Sequence, residues 1–173
     1  MLISAIDLGA TTGVAWGVPG HRPTLDSWDL RAPTLGERGL KLMRHLVEHL
    51  DAHEPDQLYV EAAPNLAGMM QRGTNIETLQ SLYGYHCLVL TVAESRGLRG
   101  KSVDVQPARR WFLGFRPRAG EGKAAVLTRC RVLGWTPNNN NEADAACVWD
   151  YAASIEAPSE ALKARLKQAV RAS

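Results

Sequence analysis

Residues 3–16 read Ile-Ser-Ala-Ile-Asp-Leu-Gly-Ala-Thr-Thr-Gly-Val-Ala-Trp. Two runs rich in strand-forming residues flank a turn that follows Asp7 and contains Gly9 and Gly13, a pattern typical of a β-hairpin. Asp7 is the last residue of the first strand. We therefore expect an antiparallel hairpin that presents a carboxylate at one of its ends.

The rest of the chain alternates between strand and helix patterns. A third strand is expected at residues 24–30, a short buried strand at 57–61 and a further strand at 102–105. Helices are predicted over residues 34–53, 75–96, 106–113, 123–133, 142–155 and 159–171. This order indicates an α/β domain with a mixed central β-sheet, in which the opening antiparallel hairpin is combined with parallel strands and flanked by helices.

The composition favours a soluble protein with a single core. The chain has 173 residues, of which 45% are hydrophobic, and this is enough for one domain. No leader pattern opens it, and no apolar run approaches the roughly 18 residues of a membrane helix. Cys87, Cys130 and Cys147 lie far apart and form neither a disulfide framework nor a zinc motif. We expect a cytoplasmic protein that does not contact membranes.

Positive charge is concentrated in one part of the sequence. Residues 96–131 contain ten Lys and Arg against two acidic residues, a net charge of +8, whereas residues 1–95 have a net charge of −5. Such a block suits a polyanion, although a solvated surface is the alternative. Its Gly/Arg/Pro-rich part, residues 114–122, is expected to be a mobile loop. The predicted contacts to the phosphates of such a polyanion are Arg109, Arg110, Arg116, Arg118 and Lys123.

Three carboxylates occupy positions that could converge. Asp7 and Glu61 each end a predicted strand, and Asp144 lies near the start of a late helix. Strand ends meet at one edge of an open α/β sheet, and a helix N-terminus can face the same edge. Clustered carboxylates stay ionised together only around a cation, and hard oxygen ligands suit Mg²⁺ or Mn²⁺. Taken singly, each also has an ordinary explanation as a cap, a surface charge or a helix-dipole partner.

Four stretches, in order, resemble the RuvC-type Holliday-junction resolvases. Residues 3–16 resemble the opening hairpin of that family, and Leu58-Tyr-Val-Glu61 resembles its second catalytic strand. Lys123-Ala-Ala-Val followed by Gly134-Trp135, and Asn141-Glu-Ala-Asp-Ala-Ala-Cys-Val-Trp149, resemble its closing helices. The Asn-Glu-Ala-Asp-Ala form is most similar to small RuvC-like proteins of phages. The resemblance spans about residues 1–155.

The resemblance implies an RNase H-like nuclease domain at residues 1–157, followed by a basic C-terminal helix or tail at 158–173. It implies a homodimer that nicks both sides of a four-way DNA junction with two Mg²⁺ or Mn²⁺ ions per active site. Asp7, Glu61 and Asp144 would be catalytic metal ligands, and Lys123 would contact the scissile phosphate.

The chain departs from the family at a fourth ligand. Members usually carry two aspartates three residues apart, but Asn141 precedes Asp144 by three and Cys147 follows it by three. Glu142 is a candidate substitute, although an ideal helix directs it about 200° away from Asp144. The fourth ligand therefore stays open between Asn141, Glu142 and none.

A second departure follows Glu61, where bacterial members carry an aromatic residue that stacks at the junction. The sequence here is Ala-Ala-Pro-Asn, with Met69 and Met70 further on. These methionines are candidates for separating DNA strands, and core or dimer contacts are the favoured alternative.

Three other functions remain as alternatives. One is a broader endonuclease of branched or flap DNA, and another is an inactive junction-binding protein. The third is an actin-like or sugar-kinase-like ATP-phosphotransferase, because Ile6-Asp-Leu-Gly9-Ala-Thr-Thr resembles the first phosphate loop of that group. That group needs two such folds around a nucleotide, which 173 residues cannot build. No nucleotide cofactor is expected.

Overall fold

The computed structural model describes residues 1–63, 65 and 75–172, the last five of these as backbone only. The strands are β1 Ile3–Asp7, β2 Thr11–Gly17, β3 Thr24–Asp29, β4 Gln57–Glu61 and β5 Gly100–Val103. The helices are α1 Leu35–His53, α2 Ile76–Ser95, α3 Val105–Leu113, α4 Gly122–Val132, α5 Asn140–Glu156 and α6 Pro158–Ala172. Within the described ranges, no helix is both long enough and apolar enough to cross a membrane.

The five strands form one mixed sheet in the order β3-β2-β1-β4-β5. The first three pair antiparallel, while β4 runs parallel to β1 on one side and to β5 on the other. The predicted mixed sheet flanked by helices is thus confirmed. In the parallel register Ile6 lies opposite Val60, so the next residues, Asp7 and Glu61, end adjacent strands at the same edge.

Side-chain alternation in β1 and β4 determines which face these carboxylates occupy. Ile3, Ala5 and Tyr59 belong to the core beneath α3, α4 and α5, whereas Ile6 and Val60 belong to the core beneath α1 and α2. Successive side chains of a strand point to opposite faces. Asp7 and Glu61 continue the first of these series and therefore face the side of the sheet that α5 covers.

The start of α5 packs unusually close to β2. A Cβ atom placed on Gly13 would lie only 2.0 Å from the backbone oxygen of Asn141, so only glycine leaves room for the helix. Ala143, Ala145 and Ala146 are fully buried and keep α5 near the sheet. Because Gly13 pairs with Asp7 across the hairpin, this contact brings the first turns of α5 next to the end of β1.

The strand β5 begins and ends two residues earlier than predicted. The sequence favours residues 102–105, but Asp104 leaves the strand and accepts a hydrogen bond from the backbone N–H of Gln106. Aspartate at such a position stabilises a helix start by satisfying an otherwise unpaired donor. Helix α3 therefore begins at Val105, and β5 ends at Val103.

Ala161 and Arg165 are among the side chains through which helix α6 contacts the rest of the domain. Ala161 is buried, and Arg165 donates to the carboxylate of Asp150 on α5 at 2.7 Å. The guanidinium of Arg165 also lies over the ring of Trp111 on α3, 4.1 Å from its centroid. The division of the chain into residues 1–157 and 158–173 stays a prediction.

Candidate active site

Asp7, Glu61 and Asp144 come together at one edge of the sheet. Asp7 is 9% exposed and Asp144 is 3% exposed, while Glu61 is half-buried. Asp7 and Glu61 interact through a hydrogen bond between their carboxyl groups, and the charge of Asp144 acts on both. The structure thus brings together the three carboxylates that the sequence singles out, and their catalytic role stays a prediction.

The electrostatics of this cluster oppose full ionisation. Burial raises the pKa of Asp7 well above its ordinary value, and the neighbouring charges of Glu61 and Asp144 raise it further. Burial also raises the pKa of Glu61, although the hydrogen bond from Asp7 and the nearby cations act in the opposite direction. The cluster therefore disfavours three simultaneous negative charges, and a bound cation would relieve that repulsion.

Two basic side chains contact Asp144. Arg109 on α3 donates from Nη2 to Oδ1 at 3.0 Å, and the Nζ of Lys123 on α4 lies 3.9 Å from Oδ2. Lys123 is 59% exposed and can therefore also reach a ligand in solvent. Lys123 thus lies beside the cluster, and its contact with a scissile phosphate, which the resemblance implies, stays a prediction.

Arg109 is not on the basic surface where the sequence analysis places it. Its side chain is 16% exposed and lies against Gly122, where an added Cβ atom would sit 3.3 Å from Nη1. The pairing with Asp144 brings it into the carboxylate cluster. A direct contact between Arg109 and DNA stays a prediction, but its observed partner is a carboxylate.

Glu142 takes part in a different set of contacts. Its Oε1 accepts hydrogen bonds from Ser27 Oγ and Asn139 Nδ2, both at 3.0 Å, and its Oε2 accepts from the backbone N–H of Asn138 at 2.7 Å. The side chain is 2% exposed. Oε1 thus joins the start of α5 to β3, and Oε2 joins it to the loop before the helix, and these contacts give no support to Glu142 as a fourth metal ligand.

The remaining predicted DNA contacts are on the surface. Arg110 is exposed on α3, and Arg116 and Arg118 are exposed in the loop between α3 and α4. Phe115 in the same loop is 56% exposed. It was missed in the sequence, although its place directly before Arg116 could have marked it as a candidate for stacking on a base. Met69 and Met70 lie outside the described residues, so their predicted role is not addressed.

The donor set fits a divalent cation at Asp7 and Glu61. Carboxylate oxygens are the ligands that Mg²⁺ and Mn²⁺ prefer, and these two carboxylates end adjacent strands at the same edge of the sheet. Among the described residues, no three His, Cys, Asp or Glu side chains are arranged as a ready metal site. Asp144 is instead held by Arg109 and Lys123.

The fold matches solved structures of RuvC. One, Thermus thermophilus RuvC in complex with a Holliday junction substrate, has a TM-score of 0.67 and 19% identity, covering 86% of this chain and 90% of that one. Another Thermus thermophilus RuvC structure has a TM-score of 0.66 and 18% identity, with coverages of 92% and 98%. No protein-family model matches the chain, and no curated protein does. The chain therefore has the RNase H-like fold of RuvC, as its sequence motifs predict.

Proposed function

We propose that this chain is a metal-dependent endonuclease that resolves four-way DNA junctions. The observation that carries the proposal is the buried cluster of Asp7, Glu61 and Asp144, with Lys123 beside it, at one sheet edge of a RuvC fold. The structural neighbour solved with a Holliday junction supports branched DNA as the substrate class. Fold alone does not define a function, so the carboxylates and their basic neighbours carry the chemistry.

In this proposal the oxygens of Asp7 and Glu61 hold the divalent cation. Such a cation supplies Lewis-acid chemistry, since it polarises a phosphodiester and makes water more acidic. Lys123 binds the non-bridging oxygen of the scissile phosphate and orients it toward the carboxylates. Asp144, neutralised by Arg109, maintains the position of Lys123. The family resemblance implies two ions, and the positive charges of Arg109 and Lys123 around Asp144 bear on whether a second ion can bind.

The exposed basic residues supply the proposed DNA surface. Arg110, Arg116, Arg118 and Lys123 lie on α3, on α4 or in the loop that joins them, and they can neutralise several phosphates. Phe115 is placed to stack on an unpaired base at a branch point. Paired nicks require two active sites, which the predicted homodimer would supply. The dimer and a cytoplasmic location belong to the proposal.

An Arg116→Gln variant is expected to bind junction DNA more weakly and with a lower salt dependence. Loss of one phosphate contact should reduce the slope of log K against log salt by about 1. The measurement is fluorescence anisotropy with a labelled junction at several salt concentrations. Arg99→Gln is the matched control, because Arg99 is exposed but precedes β5, at the opposite end of the sheet from Glu61. Equal slopes in the two variants would exclude the loop from the DNA surface.

The proposed activity is tested on a labelled synthetic four-way junction with Mg²⁺, Mn²⁺ or a chelator, beside linear duplex and flap DNA. We expect symmetric nicks in the junction alone, with 5′-phosphate ends, and no nicks with the chelator. Equal cutting of flap DNA would indicate the broader branched-DNA endonuclease. Tight junction binding without nicks under either metal would indicate an inactive binding protein.

A further inference from the structure

Arg109 is a fixed positive charge inside the carboxylate cluster. It is held on α3 by the burial of its neighbours Ala108 and Phe112, and it reaches Asp144 through the space that Gly122 leaves open. Its Nε is buried and, within the described residues, has no hydrogen-bond partner. An arginine stays protonated at any pH the protein would meet, so this charge cannot be removed by losing a proton.

The charges of the cluster leave room for one divalent cation. Asp7, Glu61 and Asp144 carry three negative charges when ionised, and Arg109 and Lys123 carry two positive charges. One divalent cation and one scissile phosphate therefore bring the total to zero. Two cations with the same phosphate leave an excess of two positive charges. Such an excess is unfavourable next to the buried side chains of Asp7 and Asp144.

The arrangement of the three carboxylates also favours a single divalent cation. Asp7 and Glu61 end adjacent parallel strands at one edge of the sheet, so a cation can bind between their carboxylates. Asp144 is turned to the two basic side chains, and its Oδ1 already accepts the hydrogen bond from Arg109. A second cation at Asp144 would lie beside this buried guanidinium and the Nζ of Lys123, and their positive charges would repel it.

We infer that this site binds a single divalent cation between Asp7 and Glu61, and that Arg109 takes the place of a second cation by holding Asp144. The inference rests on the proposed metal-dependent function. Arg109 is thus a positioning residue that fixes the number of ions, and the two-ion site implied by the family resemblance does not apply to this chain.

The test is a count of Mn²⁺ ions bound per chain in the absence of DNA, measured from the EPR signal of the free ion. We expect one ion in the wild-type protein and two in Arg109→Met, because that variant leaves Asp144 without its main partner. Arg99→Met is the matched control, since Arg99 is exposed at the opposite end of the sheet from Glu61, and it should bind one ion. Arg109→Lys keeps the charge and should also bind one.

A wild-type count of two, or of zero at millimolar Mn²⁺, would overturn the inference whatever the variants do. A count of one in a folded Arg109→Met protein would also overturn it. If Arg109→Met fails to fold, Arg109→Met/Asp144→Asn removes both charges and should bind one ion at Asp7 and Glu61. Because the readout needs no DNA, a protein that binds one ion and nicks no junction refutes the proposed function alone. A protein that nicks junctions with two ions bound refutes only this inference.

Discussion

An Asp7→Asn variant is expected to lose DNA cleavage and to become more stable toward unfolding. The loss should be at least about 100-fold, since even an outer partner of a metal ligand costs 10- to 100-fold when removed. The gain arises because Asp7 is a buried carboxyl group beside two other carboxylates. Asparagine has nearly the same shape and carries no charge. Residues needed for function are often unfavourable for stability in this way.

The gain in stability of the Asp7→Asn variant should depend on pH in a definite direction. The pKa of Asp7 in the folded protein is raised above its unfolded value of 3.8, so the folded state binds the proton more tightly. Stability then falls as pH rises from that unfolded value through the raised folded one, and the full penalty is present above it. Because Asp7 is destabilising when it is ionised, we expect Asp7→Asn to be more stable than the wild type at pH 7.5.

The measurement is urea unfolding of both proteins in EDTA at pH 7.5 and at pH 4.5. The advantage of Asp7→Asn should shrink at the lower pH, because protonation relieves the penalty in the wild type. Asp26→Asn is the control, since Asp26 is exposed on β3, and it should change neither cleavage nor stability appreciably. A cleaving Asp7→Asn protein, or one less stable than wild type at pH 7.5, would remove Asp7 from the proposed centre.

The sequence predicts the elements and the two strand-end carboxylates because these follow from local patterns. Alternation in β1 and β4 places Asp7 and Glu61 on one face, and the hairpin and buried strand are visible in residues 3–16 and 57–61. Helix α1 begins one residue after its predicted start because Thr34 forms a capping box with Glu37. Such features depend on residues within a few positions of each other.

The role of Arg109 was not predictable because it depends on distant parts of the chain. Arg109 and Arg110 are adjacent and chemically identical, and only the burial of Phe112 determines which of them faces α5. The space for its side chain comes from Gly122, and its partner is Asp144. Glu142 illustrates the same difficulty, since its contact with Ser27 joins elements 115 positions apart.

A Gly13→Ala variant is expected to be strongly destabilised although alanine adds a single methyl group. The new Cβ atom would lie 2.0 Å from the oxygen and 2.3 Å from the carbonyl carbon of Asn141, and both are backbone atoms. Strand β2 cannot yield, because Gly13 is paired with Asp7 on one side and Ser27 on the other. Overpacking of this kind costs about 1–3 kcal/mol and sometimes more, and we expect the upper end of that range.

The measurement is urea unfolding beside Gly39→Ala, the matched control. Gly39 lies in α1 with nothing within 4 Å of an added Cβ atom, so alanine there should stabilise the protein by up to about 1 kcal/mol through helix propensity. Equal stability of the two variants would contradict the close contact between β2 and α5.

The Gly13→Ala variant also distinguishes the role of Asp144 from that of Asp7 and Glu61. If the protein stays folded, relief of the contact must move the start of α5, and Asp144 moves with it. Asp7 and Glu61 remain in place, because they belong to β1 and β4. A folded Gly13→Ala protein should therefore still bind one Mn²⁺ ion and fail to cleave DNA. Loss of ion binding in a folded variant would show instead that Asp144 is a ligand of that ion.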